Sequence, residues 1–317
     1  MTSHPAFGAH LQPFAGIPSF MRQPATRNLE GVDVALLGIP YDGGTSHRSG
    51  TRFGPRKIRE ASLMLWGYHH PQQIAPLEVL RVVDYGDIAV SPVDIAATNT
   101  AITDEVAAVL KSGARVISLG GDHSIALPLL RAHAEHHGPL AVVHFDSHCD
   151  TGSPEFAGRP YSHGTPFRYA LEEGLIDKSA YLQIGIRGPS SRATYRSDAE
   201  ALGARVITID EAFELGMPNV IKEIHTRIGR RRLYVSLDID AADPAYAPGT
   251  GTPEVGGFTS YQLLQLVRGL AGLDLVGCDL VEVSPPYDHG DITAILAANL
   301  VFEFLALLAR QRIERTK

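Results

Sequence analysis

Short apolar runs alternate with longer amphipathic stretches along most of this chain. Val32–Gly38, Val79–Asp84, Arg115–Leu119, Leu140–Phe145, Tyr181–Ile186, Arg205–Ile209, Leu233–Asp238 and Leu275–Val281 have the length and β-branched content of buried strands. Between them, helical spacing of apolar positions predicts helices from Pro55 to about Leu65, then at Val93–Lys111, Ser124–His137, Tyr195–Leu202, Asn219–Gly229, Ser260–Leu270 and Ile292–Arg310. Pro55 suits the first turn of its helix, where no partner for its nitrogen is needed. Strands that read as continuous apolar runs and alternate with helices imply a mainly parallel sheet covered on both faces. The first 31 residues break this pattern. They carry Pro, Gly and isolated aromatics (Phe7, Phe14, Phe20) and are expected to form an arm packed on the domain or on a neighbouring subunit. No linker or repeat interrupts the remainder, so 1–317 is expected to be a single domain.

Composition narrows the partners. The formal charge of −7 argues against nucleic acid or an anionic membrane surface. Two cysteines, Cys149 and Cys278, make no disulfide framework, and MTSHPAFGAH has no signal-peptide pattern. A cytoplasmic protein is expected, with no apolar run approaching the length that spans a bilayer.

In a parallel sheet the ligand site lies beyond the carboxyl ends of the strands, and the polar residues gather there. The run ending at Leu119 leads into GGDHS and His123. Phe145 is followed by Asp146, His148 and Asp150 at every second position, which in extended backbone aims all three to one side and turns Ser147 and Cys149 away. Asp238 and Asp240 follow Leu237, and Glu282 follows Val281. Singly, each has an ordinary explanation, such as helix capping by His123. Together they place four aspartates and two histidines in one cavity, and such a set cannot stay ionised without compensation. Two divalent cations would balance four carboxylates, and the oxygen-rich set with imidazoles suits Mn²⁺, with Ni²⁺ as an alternative. Such a pair would supply hydroxide near neutral pH.

At these motifs (GIPYDGGTSHRSGTRFGPRKIR, GGDHS, FDSHCDT, SHGTPF, SLDIDAADPAYAPGTGTPE and DLVEVSPPYD) the sequence resembles the ureohydrolase family of arginases, agmatinases, guanidinobutyrases and guanidinopropionases over nearly its whole length. The resemblance implies a three-layer α/β/α sandwich around an eight-stranded, mainly parallel sheet, assembled as a homotrimer or homohexamer, with a heteromeric partner subunit as a further arrangement. It implies that His123, Asp146, Asp150 and Asp238 hold one Mn²⁺ and that His148, Asp146, Asp238 and Asp240 hold the second. It also implies hydrolysis of a guanidine to an amine and urea, with Glu282 orienting the guanidinium, Asp150 relaying a proton and His163 serving as acid/base.

The substrate is less defined. Ser147 and Cys149 replace the Ala, and the Ala or Thr, more usual in the family. In the variable loop Gly152–Ser162, Glu155 would favour a cationic tail such as that of agmatine. Arg159, or Arg48 and Arg52, would suit a carboxylate such as that of 4-guanidinobutyrate. A guanidino acid is the expected substrate, ahead of agmatine and of other guanidines or biguanides of the metformin type. Two other classes compete: an amidinohydrolase using Cys149 as nucleophile, and a non-catalytic partner subunit.

Overall fold

The computed structural model describes residues 12–154, 158–190 and 192–315. All eight expected strands form: β1 (Val34–Ile39), β2 (Val82–Asp87), β3 (Arg115–Gly120), β4 (Leu140–Phe145), β5 (Ile176–Ile186), β6 (Arg205–Thr208), β7 (Arg232–Asp238) and β8 (Asp274–Val281). They make one sheet in the order β2-β1-β3-β8-β7-β4-β5-β6, with every pairing parallel.

Alternate side chains of each strand enter two separate cores, because both faces of the sheet are covered. Val34 and Leu36 of β1, Val143 and Phe145 of β4, and Val235 and Leu237 of β7 join the core beneath α1 (Gly54–Ser62), α2 (Pro76–Val79), α7 (Ile209–Leu215), α8 (Met217–Ile228), α9 (Ser260–Arg268) and α10 (Ile292–Arg315). Ala35, Leu37, Val142 and Tyr234 join the other, under α3 (Ile95–Lys111), α4 (Ala126–His137), α5 (Pro166–Glu172) and α6 (Tyr195–Leu202). The result is the expected α/β/α sandwich.

Three helices have no counterpart in the sequence reading. Pro76 starts the single turn α2, so Val79, expected in a strand, belongs to that turn and β2 begins at Val82. Pro166 starts α5 directly after SHGT, and Thr208 caps α7 by accepting from Glu211 N–H. A further expectation is corrected by α10. Its 24 residues have a mean hydropathy of 2.2 over the most apolar stretch, enough by length and composition to cross a membrane. That stretch is 83% buried inside the molecule, so α10 is the central helix of one face. The arm is strapped down from Ser19 onward. Phe20 N–H donates to Asp84 at 2.8 Å, Met21 N–H to Ser62 at 2.8 Å, and both side chains are fully buried. Phe14 and Ile17 are exposed.

A candidate dinuclear metal centre

The strands whose ends carry the chemistry, β3, β8, β7 and β4, are adjacent in the sheet. Their C-terminal loops therefore face one another, and His123, Glu282, Asp238, Asp240, Asp146, His148 and Asp150 converge. His123 Nδ1 lies 3.1 Å from Asp146 Oδ2, 3.0 Å from Asp150 Oδ2 and 3.2 Å from Asp238 Oδ2. His148 Nδ1 lies 3.1 Å from Asp240 Oδ2 and 3.5 Å from Asp146 Oδ1. Except for His148, which is partly exposed, this set is buried.

Two tight groups of donor atoms could each hold a metal ion: His123, His144, Asp146 and Asp150, and Asp146, His148 and Asp240. Asp146 belongs to both. Asp238, expected as a second shared residue, stands beside His123 but in neither tight group. The first group also contains His144, which sequence reading passed over. His144 Nε2 is 2.6 Å from Asp146 Oδ2, and its ring stacks on Phe167 at 4.0 Å. The signal for it was present, since His144 continues the every-second-residue series of Asp146, His148 and Asp150.

Charge shows what the set requires. Burial, then repulsion from Asp240 and Asp146, pushes the Asp238 carboxyl well up. Burial and Asp146 push Asp150 up. Asp146 goes the other way because its contacts with His144 and His123 outweigh the penalty of burial. Buried carboxylates that raise one another's pKa are a donor set short of positive charge, which two divalent cations would supply.

Supporting contacts orient the donors. His123 Nε2 is 2.9 Å from Ser236 Oγ, which donates to Asp279 at 2.7 Å; Asp279 also accepts from Tyr234 at 2.7 Å. This chain leaves Nδ1 of His123 to face the three aspartates. Ser147 is corrected here. The strand ends at Phe145, and Ser147 Oγ turns inward to donate to Asp240 at 2.7 Å instead of facing away. Arg187, also missed, donates to the backbone carbonyls of Asp240 at 2.7 Å and Glu254 at 2.7 Å and so pins the loop after β7. Cys149 is fully buried, and burial beside Asp146 and Asp150 drives its thiol far above the ordinary range. A thiolate nucleophile has no support there.

Glu282 sits beneath the group. Its Oε1 accepts from His123 N–H at 2.9 Å and lies 3.0 Å from His163 Nδ1. Oε2 is buried and has no hydrogen-bond partner among the described residues. His163 Nε2 lies 2.8 Å from Ser46 Oγ of the first loop. Burial opposes a charge on His163, but Glu282, Asp150 and Asp122 outweigh it and raise its pKa to about 9. Glu282 (φ 63°) and Asp150 (φ 49°) both hold left-handed backbone, a strained conformation that concentrates at functional sites. The turn before His123 is equally constrained. Gly121 lies so close to the first loop that a Cβ there would stand 2.0 Å from the Tyr41 carbonyl oxygen.

These residues open on a cavity of about 330 Å³ lined by His148, Asp150, Asp238, His163, Ser46, Thr252, Tyr195 and Arg192, with Gly152, Ser153 and Pro154 from the variable loop. Arg159 is exposed and is not part of this lining. Arg52 is tied to Asp42 at 2.6 Å, and Arg48 stacks over Tyr287 at 4.9 Å. The cation that does reach the wall is Arg192, whose guanidinium pairs with Asp198 at 3.0 Å. Glu155 lies outside the described residues.

Residues 32–307 match the model of the arginase family. The chain belongs to that family. It is 48% identical to the guanidinopropionase of Pseudomonas aeruginosa over 305 residues, covering 96% of each protein. It is 42% identical to the guanidinobutyrase of the same organism over 307 residues, again covering 96% of each. The solved structure of proclavaminate amidino hydrolase from Streptomyces clavuligerus superposes with a TM-score of 0.91 at 45% identity, covering 95% of this chain and 99% of that one. Membership makes this arginase-family chain a hydrolase of non-peptide C–N bonds in linear amidines, as expected from its motifs.

Proposed function

We propose that this protein cleaves the guanidino C–N bond of a small guanidino acid, releasing an amine and urea, at a site holding two divalent cations. One observation carries the reading: two donor groups sharing Asp146 and a Glu282 Oε2 without a hydrogen-bond partner among the described residues belong to one strand-end cluster, of which His148, Asp150 and Asp238 line a small cavity. His123, Asp146, Asp150 and Asp238 would hold one cation, and His148, Asp146, Asp238 and Asp240 the other. Mn²⁺ suits the oxygen-rich donors and Ni²⁺ is the alternative. When bound, such a pair supplies Lewis acidity and hydroxide near neutral pH.

The chain's own residues do the rest. Glu282 Oε2 accepts from the planar N–H groups of the guanidinium and fixes its central carbon over the cluster. His163, held between Glu282 and Ser46, with its basicity raised by the neighbouring carboxylates, delivers a proton to the departing nitrogen. Asp150, on the cavity wall, takes up the proton lost by the attacking water and passes it on. Arg192 supports a carboxylate-tailed substrate, as do the names guanidinopropionase and guanidinobutyrase of two relatives. A cationic tail of the agmatine type would face this arginine unfavourably.

The match over 32–307 supports one catalytic domain. The exposed Phe14 and Ile17 support an arm that packs on a neighbouring subunit of a trimer or hexamer. Two buried unpaired cysteines suit a reducing cytoplasm. A urea-release screen tests the reading over 3-guanidinopropionate, 4-guanidinobutyrate, agmatine, arginine, free guanidine and biguanides, with Mn²⁺ and Ni²⁺ compared. Turnover of guanidino acids, lost to a chelator and restored by metal, is expected. Urea from none of them, or loss to iodoacetamide but not to a chelator, would overturn it.

A further inference from the structure

The opposite end of the same sheet carries a second polar cavity, of about 660 Å³. Asp33, just before β1, and Arg115, Asp274 and Arg232, the first residues of β3, β8 and β7, stand at the ends of four neighbouring strands, and all four line it. Both carboxylates already have partners. Asp33 accepts from Arg81 N–H at 2.8 Å and pairs with Arg312, while Asp274 accepts from Gln311 at 2.6 Å and pairs with Arg315. Arg312 and Arg315 have a separate reason to be there, because they sit in the last turns of α10, where the helix dipole favours cations.

No such reason covers the two arginines on the strands. Among the described residues, Arg232 hydrogen-bonds only the His137 carbonyl oxygen, at 2.7 Å. The half-buried Arg115 guanidinium makes no hydrogen bond or close ion pair to a described residue; burial and Arg315 disfavour its charge, and Asp274 favours it from a distance. Four guanidiniums thus face two carboxylates across one concavity, two charges in excess even with His136 and His137 neutral. The surroundings register the imbalance. Burial, with His136 and Arg232 adding to it, pushes His137 down to about 4. A concave site with uncompensated charge of one sign draws in ligands of the other.

We propose that this cavity binds a small molecule with two anionic groups, one held by Arg115 and the other by Arg232. β3 and β7 flank β8, so the backbones carrying the two arginines lie roughly 9.5 Å apart; their long side chains leave opposite faces of the sheet and both reach the cavity at its end, where they can take the two ends of a short dicarboxylate or a diphosphate. Planar guanidinium forks suit either kind of oxyanion. The site lies a strand's length from the candidate metal centre, about 23 Å for a seven-residue strand, and its ligand does not touch the residues there.

Calorimetric titration of succinate and of pyrophosphate into metal-loaded protein, at matched ionic strength, tests this. At least one probe is expected to show a saturable event, one per chain, weakened tenfold or more in both Arg115→Met and Arg232→Gln while urea formation is unchanged. The probe that responds distinguishes a carboxylate from a phosphate ligand. Pyrophosphate coordinated to metal at the other end would bind both variants as it binds the parent, so only the variant-sensitive component counts. Isotherms that neither substitution alters, or heats that vanish once ionic strength is matched, would overturn the proposal.

Discussion

Glu282 and His163 meet through a single carboxylate oxygen: His163 Nδ1 lies 3.0 Å from Oε1, and Oε2 is buried with no hydrogen-bond partner among the described residues. A buried acceptor oxygen left in that state is costly unless a donor arrives, and the N–H groups of a guanidinium are such donors. Glu282→Gln should lower kcat/KM for the preferred guanidino substrate roughly 100-fold or more, the range for removing one partner of a buried charge pair. Bound metal should stay at the parent level. Metal analysis beside urea-release kinetics checks both halves, and loss of metal would place Glu282 among the ligands.

The contacts behind the donors predict a graded pattern of metal loss. Asp146→Asn removes a residue common to both tight donor groups and to both proposed cation sites, so it should strip metal and abolish turnover. Ser236→Ala should weaken metal binding roughly 10- to 100-fold, the usual cost of removing a group that orients a ligating histidine, with activity recovering at high Mn²⁺. Competition against a metallochromic chelator measures both. Equal affinity in Ser236→Ala and the parent would mean that the Ser236–Asp279 relay does not set the orientation of His123.

Much of this centre was legible because it is local. Asp146, His148 and Asp150 follow one strand at alternate positions, and parallel topology brings the ends of β3, β8, β7 and β4 together. His144 obeyed the same alternation and could have been read from it. Ser147 could not, because alternation fails where the strand stops: Asp150 turns into left-handed backbone and Ser147 rotates onto Asp240. Arg187 and Arg192 were hidden for another reason. They arrive from the segment between β5 and α6, and no periodicity relates that segment to the loop holding Arg159. The shift of β2 was marked locally by Pro76, whereas the burial of so apolar a helix as α10 depends on what packs around it.

Arg192 yields a prediction about specificity. Arg192→Gln should raise KM for 4-guanidinobutyrate or 3-guanidinopropionate roughly tenfold, about 1.4 kcal/mol, with kcat nearly unchanged, since the contact is remote from the bond that breaks. Agmatine should be unaffected or improved, and Arg192→Glu should carry the preference further toward it. Steady-state kinetics on the three compounds decides the matter. Identical preference in parent and variants would mean that Arg192 stays with Asp198 and reads no substrate.

His133 should make stability sensitive to mild acid. Its ring is fully buried, with Nδ1 2.8 Å from the Leu129 carbonyl oxygen and Nε2 without a partner among the described residues; a Cβ on Gly277 would stand 2.2 Å from that Nε2. Burial holds its pKa down at about 4, below the 6.5 of a free histidine. Between those values the unfolded chain binds a proton that the folded chain refuses, so stability falls as pH drops from 6.5 towards 4 and levels off below. The full effect is on the order of 3 kcal/mol at 1.36 kcal/mol per unit. Urea unfolding of His133→Leu from pH 7 to pH 4, run beside the parent, should show a shallower loss in the variant, whatever its absolute stability. Acid also releases metal, but it does so in both proteins, so the difference between the two slopes isolates His133. Parallel slopes would mean that the ring gains its proton in the folded state as readily as in the unfolded one.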